Sequence, residues 1–423
     1  FNCNLIWAND FNPDTGSTDN TGFFNTTVDE NDNIYSVIGN NRGGVVIDGF
    51  SIEKGNSLIK LNSSGNILWV RKISDERYLP RKVHVWNNNV FVIGQLDEAI
   101  NTNIGLTVAT GSRSQYFIAK FDASGNLIDA QQYGTESDET FHDSQIDENG
   151  SIYFTGTVTP RSYSSNIKTY LNKIDSNLSL IWSKEMSDNQ PARVFKPMTL
   201  YYNKTNQKLY VWSKYYVSAS FYSNNVAVSN GCDTGSVLME ISKNSGELED
   251  YKVIDNCGFL QSVGNGIGNV EQRSFITHED SNLYVLSSFR GEITIGSETL
   301  TTTRDIHGDH NSDLILYEID LTNFSEKLIL RSTGENYYPS LVYRDLAGPI
   351  IAVNNSIHIT SSFMSYPITI NGLSIENNSG NNSRDVLYYK HNLDQTNPDA
   401  LITFEETCTS QETRFSIGGN FDS

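Results

Sequence analysis

The densest group of residues that could bind a metal ion lies in the segment D-I-H-G-D-H, which contains Asp305, His307, Asp309 and His310. Carboxylate and imidazole ligands at this spacing could hold zinc or another transition ion. The segment falls in a connection between predicted strands, and polar residues are common in such loops. We therefore predict solvated side chains there, with no metal and no cofactor.

Two acidic stretches superficially resemble calcium loops, namely Asp29–Asn33 (DENDN) and Asp147–Gly150 (DENG). Neither has the full spacing of oxygen ligands, with a distal glutamate, that a calcium loop of the EF-hand type requires. Turns between neighbouring strands explain both stretches better. The alternating glycines of Gly264–Gly268 lack the strand and helix that a dinucleotide site needs, so we predict a loop there as well.

The sequence contains no recognisable set of catalytic residues. It has no G-x-S-x-G, H-E-x-x-H or Walker segment, and its seven histidines are scattered. Adjacent aromatic residues could contact a sugar or a protein, although in strands one ring of such a pair more often packs between sheets. The four pairs are Tyr215–Tyr216, Phe221–Tyr222, Tyr337–Tyr338 and Tyr388–Tyr389. We predict that the chain is not an enzyme.

The four cysteines fit neither a zinc pattern nor a C-x-x-C redox motif. Cys232 and Cys257 lie within one repeat, so a disulfide between them is a reasonable prediction for an exported chain. Cys3 and Cys408 lie near opposite chain ends and could meet if the fold is circular. The alternative is four unrelated free thiols.

The formal net charge of −20 argues against two classes of partner. Nucleic acid requires clusters of Lys and Arg that neutralise phosphates, and anionic lipid requires a similar basic surface. No apolar run reaches the roughly 18 residues that a membrane span needs, so we predict no membrane insertion. The sequence begins Phe1-Asn2-Cys3, which suggests a processed or trimmed N-terminus.

The elements that must position any site are repeated hairpins. Asn56–Ser74 contains two runs rich in β-branched and aromatic residues, joined by a turn of Asn, Ser and Gly. Versions of this hairpin recur along the chain, each preceded by two further strands. The position of its central lysine is occupied successively by Lys60, Lys120, Lys173, Glu240, Glu318 and Lys390. This variation predicts a position on the surface of each unit.

Four antiparallel strands per unit, repeated radially, indicate a β-propeller. We predict an all-β fold: a six-bladed β-propeller of four-stranded antiparallel blades over residues 1–399, followed by a linker and a truncated domain over 400–423. Small extra hairpins are predicted in the connections at 103–108, 294–300 and 369–375. The last blade lacks a fourth strand, which Asn4–Asp10 could supply because it resembles the repeat. The competing strand is Ala400–Phe404.

The repeat resembles the SBBP repeats of bacterial β-propeller proteins. The resemblance is carried by Asp147–Gly156 and by Phe117–Leu127, and it extends over nearly the whole chain to about Asp399. It implies an exported protein of the kind found on the surface of Bacteroidetes. The tail Phe404–Ser423 looks like the opening strands of a PKD-type domain, and such architectures often use type 9 secretion.

These observations predict a non-enzymatic, adhesin-like binding module that is secreted and displayed at the cell surface. A protein or glycan would bind on a face of the propeller, and components of a secretion machinery are further candidate partners. A structural spacer for following domains is another interpretation. The alternative is a propeller-based carbohydrate-active enzyme, a glycosidase or a polysaccharide lyase. Two carboxylates facing the central funnel at roughly 5–9.5 Å would favour this enzyme alternative.

Overall fold

The chain consists of strands and turns wherever the structure describes it. The computed structural model describes residues 22–40, 45–47, 49–75, 80–97, 102–107, 114–134, 137–159, 167–186, 195–216, 219–221, 226–228, 234–254, 274–278, 281–290, 292–302, 312–334, 346–353, 356–363, 368–370, 372–375, 385–393 and 400–404. In these ranges we find no helix, and therefore none that is long and apolar enough to cross a membrane.

The strands follow one another in a regular order. The first ten are β1 (Gly22–Val28), β2 (Ile34–Asn40), β3 (Val45–Ile47), β4 (Phe50–Ile52), β5 (Gly55–Leu61), β6 (Ile67–Ser74), β7 (Pro80–Trp86), β8 (Asn89–Asp97), β9 (Ser114–Asp122) and β10 (Leu127–Tyr133). The next ten are β11 (Asp138–Ile146), β12 (Ile152–Thr159), β13 (Lys168–Ile174), β14 (Leu180–Glu185), β15 (Phe195–Asn203), β16 (Lys208–Tyr216), β17 (Ala219–Phe221), β18 (Val226–Val228), β19 (Thr234–Ser242) and β20 (Leu248–Ile254). The remainder are β21 (Ser274–His278), β22 (Asn282–Arg290), β23 (Glu292–Ile295), β24 (Glu298–Thr301), β25 (Ser312–Asp320), β26 (Glu326–Gly334), β27 (Leu346–Val353), β28 (Ser356–Phe363), β29 (Ile368–Ile370), β30 (Leu373–Ile375), β31 (Asp385–Asn392) and β32 (Ala400–Phe404).

These strands form repeated antiparallel sheets. Five have four strands: β1-β2-β5-β6 (the first sheet), β7-β8-β9-β10 (second), β11-β12-β13-β14 (third), β15-β16-β19-β20 (fourth) and β27-β28-β31-β32 (sixth). The fifth contains the same meander, β21-β22-β25-β26, extended by β29-β30. The first strands of consecutive sheets pack side by side along the chain, from β1 through β7, β11, β15 and β21 to β27. An all-β chain built this way has the architecture of a β-propeller.

The sheets bury their apolar side chains against one another in sequence order. Tyr35 and Leu58 of the first sheet share a core with Val92 and Phe117 of the second. The other face of the second sheet, which includes Phe91, packs on the third, and the third to sixth sheets continue the pattern. The middle strands are therefore buried on both faces, and β5 is buried at every position. A single hairpin could not bury these faces alone.

Side chains of Asp and Asn fix the turns. The Asp29 carboxylate accepts hydrogen bonds from the Asn31 and Asn33 amides, each at 2.9 Å. Asp147 accepts equivalent bonds from the amides of Asn149 (2.9 Å) and Ser151 (2.8 Å). Both acidic stretches are thus turns between the first two strands of a sheet, as predicted, because these oxygens are occupied by backbone donors.

Two of the three predicted extra hairpins are present, those at 294–300 and 369–375. β23 pairs with β24, and β29 pairs with β30. Two further hairpins, β3-β4 and β17-β18, lie in the corresponding connections of the first and fourth sheets. The predicted hairpin at 103–108 is not formed by the described residues 103–107, and the preceding Thr102 forms an isolated bridge with Ser74 of the first sheet.

The strand predicted to complete the last sheet is wrong. The fourth position is taken by β32, whose residues pair with β31 from Val386–Phe404 to Lys390–Ala400. Since β28 occupies the other edge of β31, no edge is left for Asn4–Asp10, which itself lies outside the described residues. The competing strand Ala400–Phe404 was the correct one. The two-domain division at residue 399 stays a prediction.

The central lysine positions are also not on the surface as predicted. Lys60 is 9% exposed, Lys173 is 8% exposed and Glu240 is 7% exposed. The reason is that the third strand of a sheet is covered by the neighbouring sheet. Their side chains reach polar partners instead of solvent: the Lys60 ammonium donates to the Ala123 carbonyl, and Glu240 pairs with Lys208.

Candidate functional site at the first strands of the second and third sheets

Most of the residues that the sequence singled out lie outside the described part of the chain. These are Asp305, His307, Asp309 and His310, the four cysteines, Gly264–Gly268 and the pair Tyr337–Tyr338. The predicted disulfide Cys232–Cys257 accordingly stays a prediction. Tyr389 is fully buried in β31 and stacks on His391 with ring centres 6.4 Å apart. That ring therefore packs in the core and offers no binding platform. Among the described residues there is no group of three or more metal-ligating side chains.

Five of the six first strands, as far as the structure describes them, share a feature that the sequence did not reveal, a β-bulge in the pairing with the second strand. In β7 the pairing with β8 jumps from Pro80 to Lys82, which leaves Arg81 as the extra residue. In β11 the jump from Phe141 to Asp143 leaves His142. Similar shifts occur in β1, β15 and β27. A bulge redirects one side chain out of the regular alternation, and bulges are frequent beside active sites.

The residue after the bulge connects one sheet to the next. The Asn25 side-chain oxygen accepts a hydrogen bond from the Val83 amide at 3.0 Å, which joins the first sheet to the second. One sheet further on, Asp143 Oδ2 accepts a bond from the Leu200 amide at 2.8 Å. Each bond runs from a backbone amide on the first strand of one sheet to a side chain on the first strand of the sheet before it. They also fix the first strands relative to one another.

Asp143 and Lys82 form an ion pair across the second and third sheets. Lys82 Nζ lies 2.9 Å from Asp143 Oδ1, and the Asp143 side chain is 6% exposed. The same oxygen accepts a hydrogen bond from the Ser144 amide at 2.8 Å. A buried carboxylate with a cation and two backbone donors is held in one orientation.

Two imidazoles lie beside this pair. His84 Nε2 is 2.8 Å from Ser144 Oγ, and burial, helped by the Lys82 charge, lowers the pKa of His84 to about 3. His84 is therefore neutral at physiological pH and a weak base. His142 is half-buried, with Nε2 3.3 Å from Thr157 Oγ1. The exposed Arg81 occupies the corresponding bulge on the adjacent strand β7.

The carboxylates of the first strands are confined to the third sheet. Across the described residues of β1, β7, β11, β15, β21 and β27, Asp and Glu occur only as Asp138, Glu139 and Asp143 of β11. Glu139 is fully buried and sits against Gly134, where an added Cβ would lie 2.9 Å from the Glu139 carboxyl carbon. Two carboxylates facing each other across the axis, the arrangement of a glycosidase, are not formed by these strands.

The adjacent strands β7 and β11 therefore carry two cations and two imidazoles, and one of the cations, Lys82, is paired with the fixed Asp143 carboxylate. Such a set can bind an anionic group and move a proton. Sequence reasoning missed this site because Arg81, His84 and His142 lie in no motif. The two bulge residues, Arg81 and His142, are also far apart in the sequence. An alignment of the first strands of the repeats would bring Arg81 and His142 to the same position only if the bulge in each strand were already known.

Comparison with known proteins places the chain in a structural class only. No family model matches the sequence, and no curated protein does. The resemblance to SBBP and PKD families is thus not confirmed. Similar solved structures include the α-L-arabinofuranosidase Arb93A of Fusarium graminearum (9% identity, 88% of this chain and 92% of that one, TM-score 0.44). An endo-arabinase of Bacteroides thetaiotaomicron is similar over 73% of this chain and 91% of its own (9% identity, TM-score 0.32).

A third similar structure is an inactive variant of virginiamycin B lyase from Staphylococcus aureus with quinupristin (11% identity, 81% and 92% covered, TM-score 0.35). Glycoside hydrolases stand among these neighbours, contrary to the prediction that the chain is not an enzyme, and that prediction is not kept. The non-enzymatic adhesin role has no support. At these identities the likeness concerns the fold and transfers no activity to this chain.

Proposed function

We propose that the chain forms a six-bladed β-propeller that acts as a carbohydrate-active enzyme, a lyase of polysaccharides that contain uronic acids. The six sheets supply the six blades. Their first strands line the axis, and the site lies where β7 and β11 adjoin. The observation that carries the proposal is the pair of equivalent bulges, which place Arg81 and His142 at corresponding positions of the adjacent first strands β7 and β11.

The proposed chemistry is β-elimination, which needs a cation and a base. Arg81 would neutralise the uronate carboxylate, because charge accumulates on that group when the adjacent carbon loses its proton. His142 would accept the proton from that carbon, C5 of the uronate. The C4–O bond then breaks, a C4–C5 double bond forms, and the leaving oxygen takes a proton from solvent or from the protonated histidine.

The remaining members of the site would orient these two. Lys82 and Asp143 lock β7 to β11 through their 2.9 Å ion pair, immediately after the two bulges. The neutral His84 contacts Ser144 of β11 and adds no positive charge that would raise the cost of binding a proton at His142. We therefore assign both pairs a positioning role.

The test is incubation of the protein with pectate, alginate and glycosaminoglycans. A lyase produces new reducing ends together with ultraviolet absorbance from the unsaturated uronate, in equal amounts. New reducing ends without that absorbance would identify a hydrolase and overturn the elimination mechanism. Neither signal on any uronate-containing polymer would overturn the proposed activity.

We also propose that the chain works outside the cell, because polysaccharides of this size do not cross a membrane. This agrees with the export predicted from the repeat resemblance. Fractionation of the producing cells, with immunoblotting of medium, envelope and cytosol, tests it. Detection in the cytosol alone would contradict the proposal.

A further inference from the structure

Three of the sheets hold the next one through the same contact, made by the central lysine of the third strand. Lys60 Nζ lies 3.4 Å from the Ala123 carbonyl oxygen, Lys120 Nζ lies 2.9 Å from that of Ser176, and Lys173 Nζ lies 3.0 Å from that of Lys243. Each acceptor is the second residue of the turn before the last strand of the following sheet. We call this the lysine–turn contact.

The lysine is placed for this contact by an aromatic partner on the second strand. Lys60 pairs in register with Tyr35, and its ammonium lies 4.8 Å from the centre of that ring. Lys173 pairs with Tyr153 in the same way, at 5.1 Å. Lys120 lies over Phe91 at 5.7 Å. A cation over a ring face is stabilised there, which leaves its hydrogens free to reach the neighbouring sheet.

The fourth and fifth sheets cannot make the contact, because their equivalent residues are acidic. Glu240 accepts a hydrogen bond from Tyr210 at 2.9 Å and pairs with Lys208, both within its own sheet. Glu318 accepts one from the Asn282 side chain at 2.5 Å, also within its sheet. A carboxylate has no proton to donate to a carbonyl oxygen at neutral pH.

The sixth sheet has the lysine again. Lys390 pairs in register with His358, the position that Tyr35, Phe91 and Tyr153 hold in the first three sheets. His358 is 8% exposed. Burial and the nearby Lys390 charge lower the pKa of His358, which agrees with the register pairing of the two residues.

The first sheet has the matching turn. The Asn62 side-chain oxygen accepts bonds from the Ser64 and Asn66 amides, each at 3.0 Å, and Gly65 has a φ of 80°. The turn that receives Lys60 has the same geometry: Asp122 accepts from Ser124 (2.9 Å) and Asn126 (2.8 Å), and its glycine also has a φ of 80°. The residue equivalent to Ala123 is Ser63.

We propose that Lys390 donates its ammonium to the backbone carbonyl of Ser63, so that a lysine–turn contact closes the ring between the sixth and first sheets. The strand order alone does not close it, because β32 belongs to the same end of the chain as the rest of the sixth sheet. The inference rests on the six-sheet ring of the proposed function and is independent of its chemistry. The closure would then use side chain to backbone contacts and sheet packing, with no shared strand.

Hydrogen–deuterium exchange of the full chain tests this contact with an internal standard. Lys60→Met should speed exchange in the peptide covering 122–126, because the turn loses one of its donors from the first sheet, the others being Trp69 and Arg71. Lys390→Met should speed exchange in the peptide covering 62–66 and leave 122–126 unchanged. We expect about tenfold in each case, the factor that corresponds to roughly 1.4 kcal/mol. Lys327→Met, at an exposed position of β26, is the matched control and should change neither peptide.

The outcomes separate the claims. If Lys60→Met speeds exchange at 122–126 but Lys390→Met does not speed exchange at 62–66, the proposed closure is overturned. The lysine–turn contact between the first and second sheets would still stand. No effect of Lys60→Met would overturn the lysine–turn contact itself. Lys390→Arg retains a donor and should restore slow exchange at 62–66, which distinguishes a lost contact from general unfolding. The polysaccharide assay measures a different property of the chain. Failure of the closure therefore does not imply failure of the proposed activity.

Discussion

Replacement of Asp143 should be among the more costly substitutions at the axis. Its carboxylate accepts the Leu200 amide of the next sheet and pairs with Lys82 of the previous one. Asp143→Ala would remove both contacts. We expect a loss of about 3 kcal/mol in the free energy of unfolding, the lower end of the roughly 3–5 kcal/mol for breaking a buried ion pair. The lower end applies because the Lys82 side chain is 29% exposed and can turn to solvent.

Two variants divide this loss into its parts. Asp143→Asn keeps an acceptor for the Leu200 amide and removes only the charge, so we expect about half the loss. Asn25→Ala removes the corresponding neutral bond to the Val83 amide one sheet earlier and should cost about 1 kcal/mol. Urea unfolding followed by tryptophan fluorescence measures all three, provided that the m-values agree with that of the native sequence.

The ranking of the variants is the decisive result. The structure predicts that Asp143→Ala costs most, Asp143→Asn less, and Asn25→Ala least. Equal losses for Asp143→Ala and Asn25→Ala would mean that the ion pair with Lys82 contributes nothing. A fully stable Asp143→Asn would refute a contribution of the ion pair with Lys82 to stability.

Two further predictions concern pH and the turns. The pKa of His84 is lowered to about 3 in the folded chain, so the unfolded chain binds the proton first and stability is lost as pH falls from about 6.5 towards 3. In a plot of the unfolding midpoint against pH, His84→Gln should therefore reduce the slope over this range. An unchanged slope would contradict the lowered pKa of His84. Gly150→Ala should lower the melting temperature far more than Gly49→Ala, because both have a φ near 80° but an added Cβ at Gly150 would lie 2.5 Å from the Trp86 ring, whereas at Gly49 it would meet nothing within 4 Å. Equal shifts in differential scanning calorimetry would show that backbone strain alone decides the cost.

The repeating sheets could be predicted from the sequence because each is a local pattern. The hairpin Asn56–Ser74 became β5 and β6, with the predicted turn between them. The extra hairpins at 294–300 and 369–375 were also visible, since short apolar runs flank a central glycine. These features depend on neighbours in the chain, which the sequence shows directly.

The errors came from contacts between units. Asn4–Asp10 resembles the last strand of a hairpin more closely than Ala400–Phe404 does, but local resemblance says nothing about which strand is near enough to pair. Lys60 varies to Glu along the repeats, which suggested a surface position. In fact the lysine is buried because its stem packs on a ring and its charge reaches a carbonyl in the next sheet. The bulges at Arg81 and His142 shift one residue each, and no sequence pattern marks them.

The most direct test of the account is the rate at which His142→Gln forms unsaturated product from a uronate polysaccharide that the native chain cleaves. Loss of a positioned general base should reduce the rate about 10²- to 10⁴-fold. Lys327→Gln, at an exposed position of β26, serves as the control and should keep the native rate. A His142→Gln variant that is folded and as active as the native chain would contradict the proposed site.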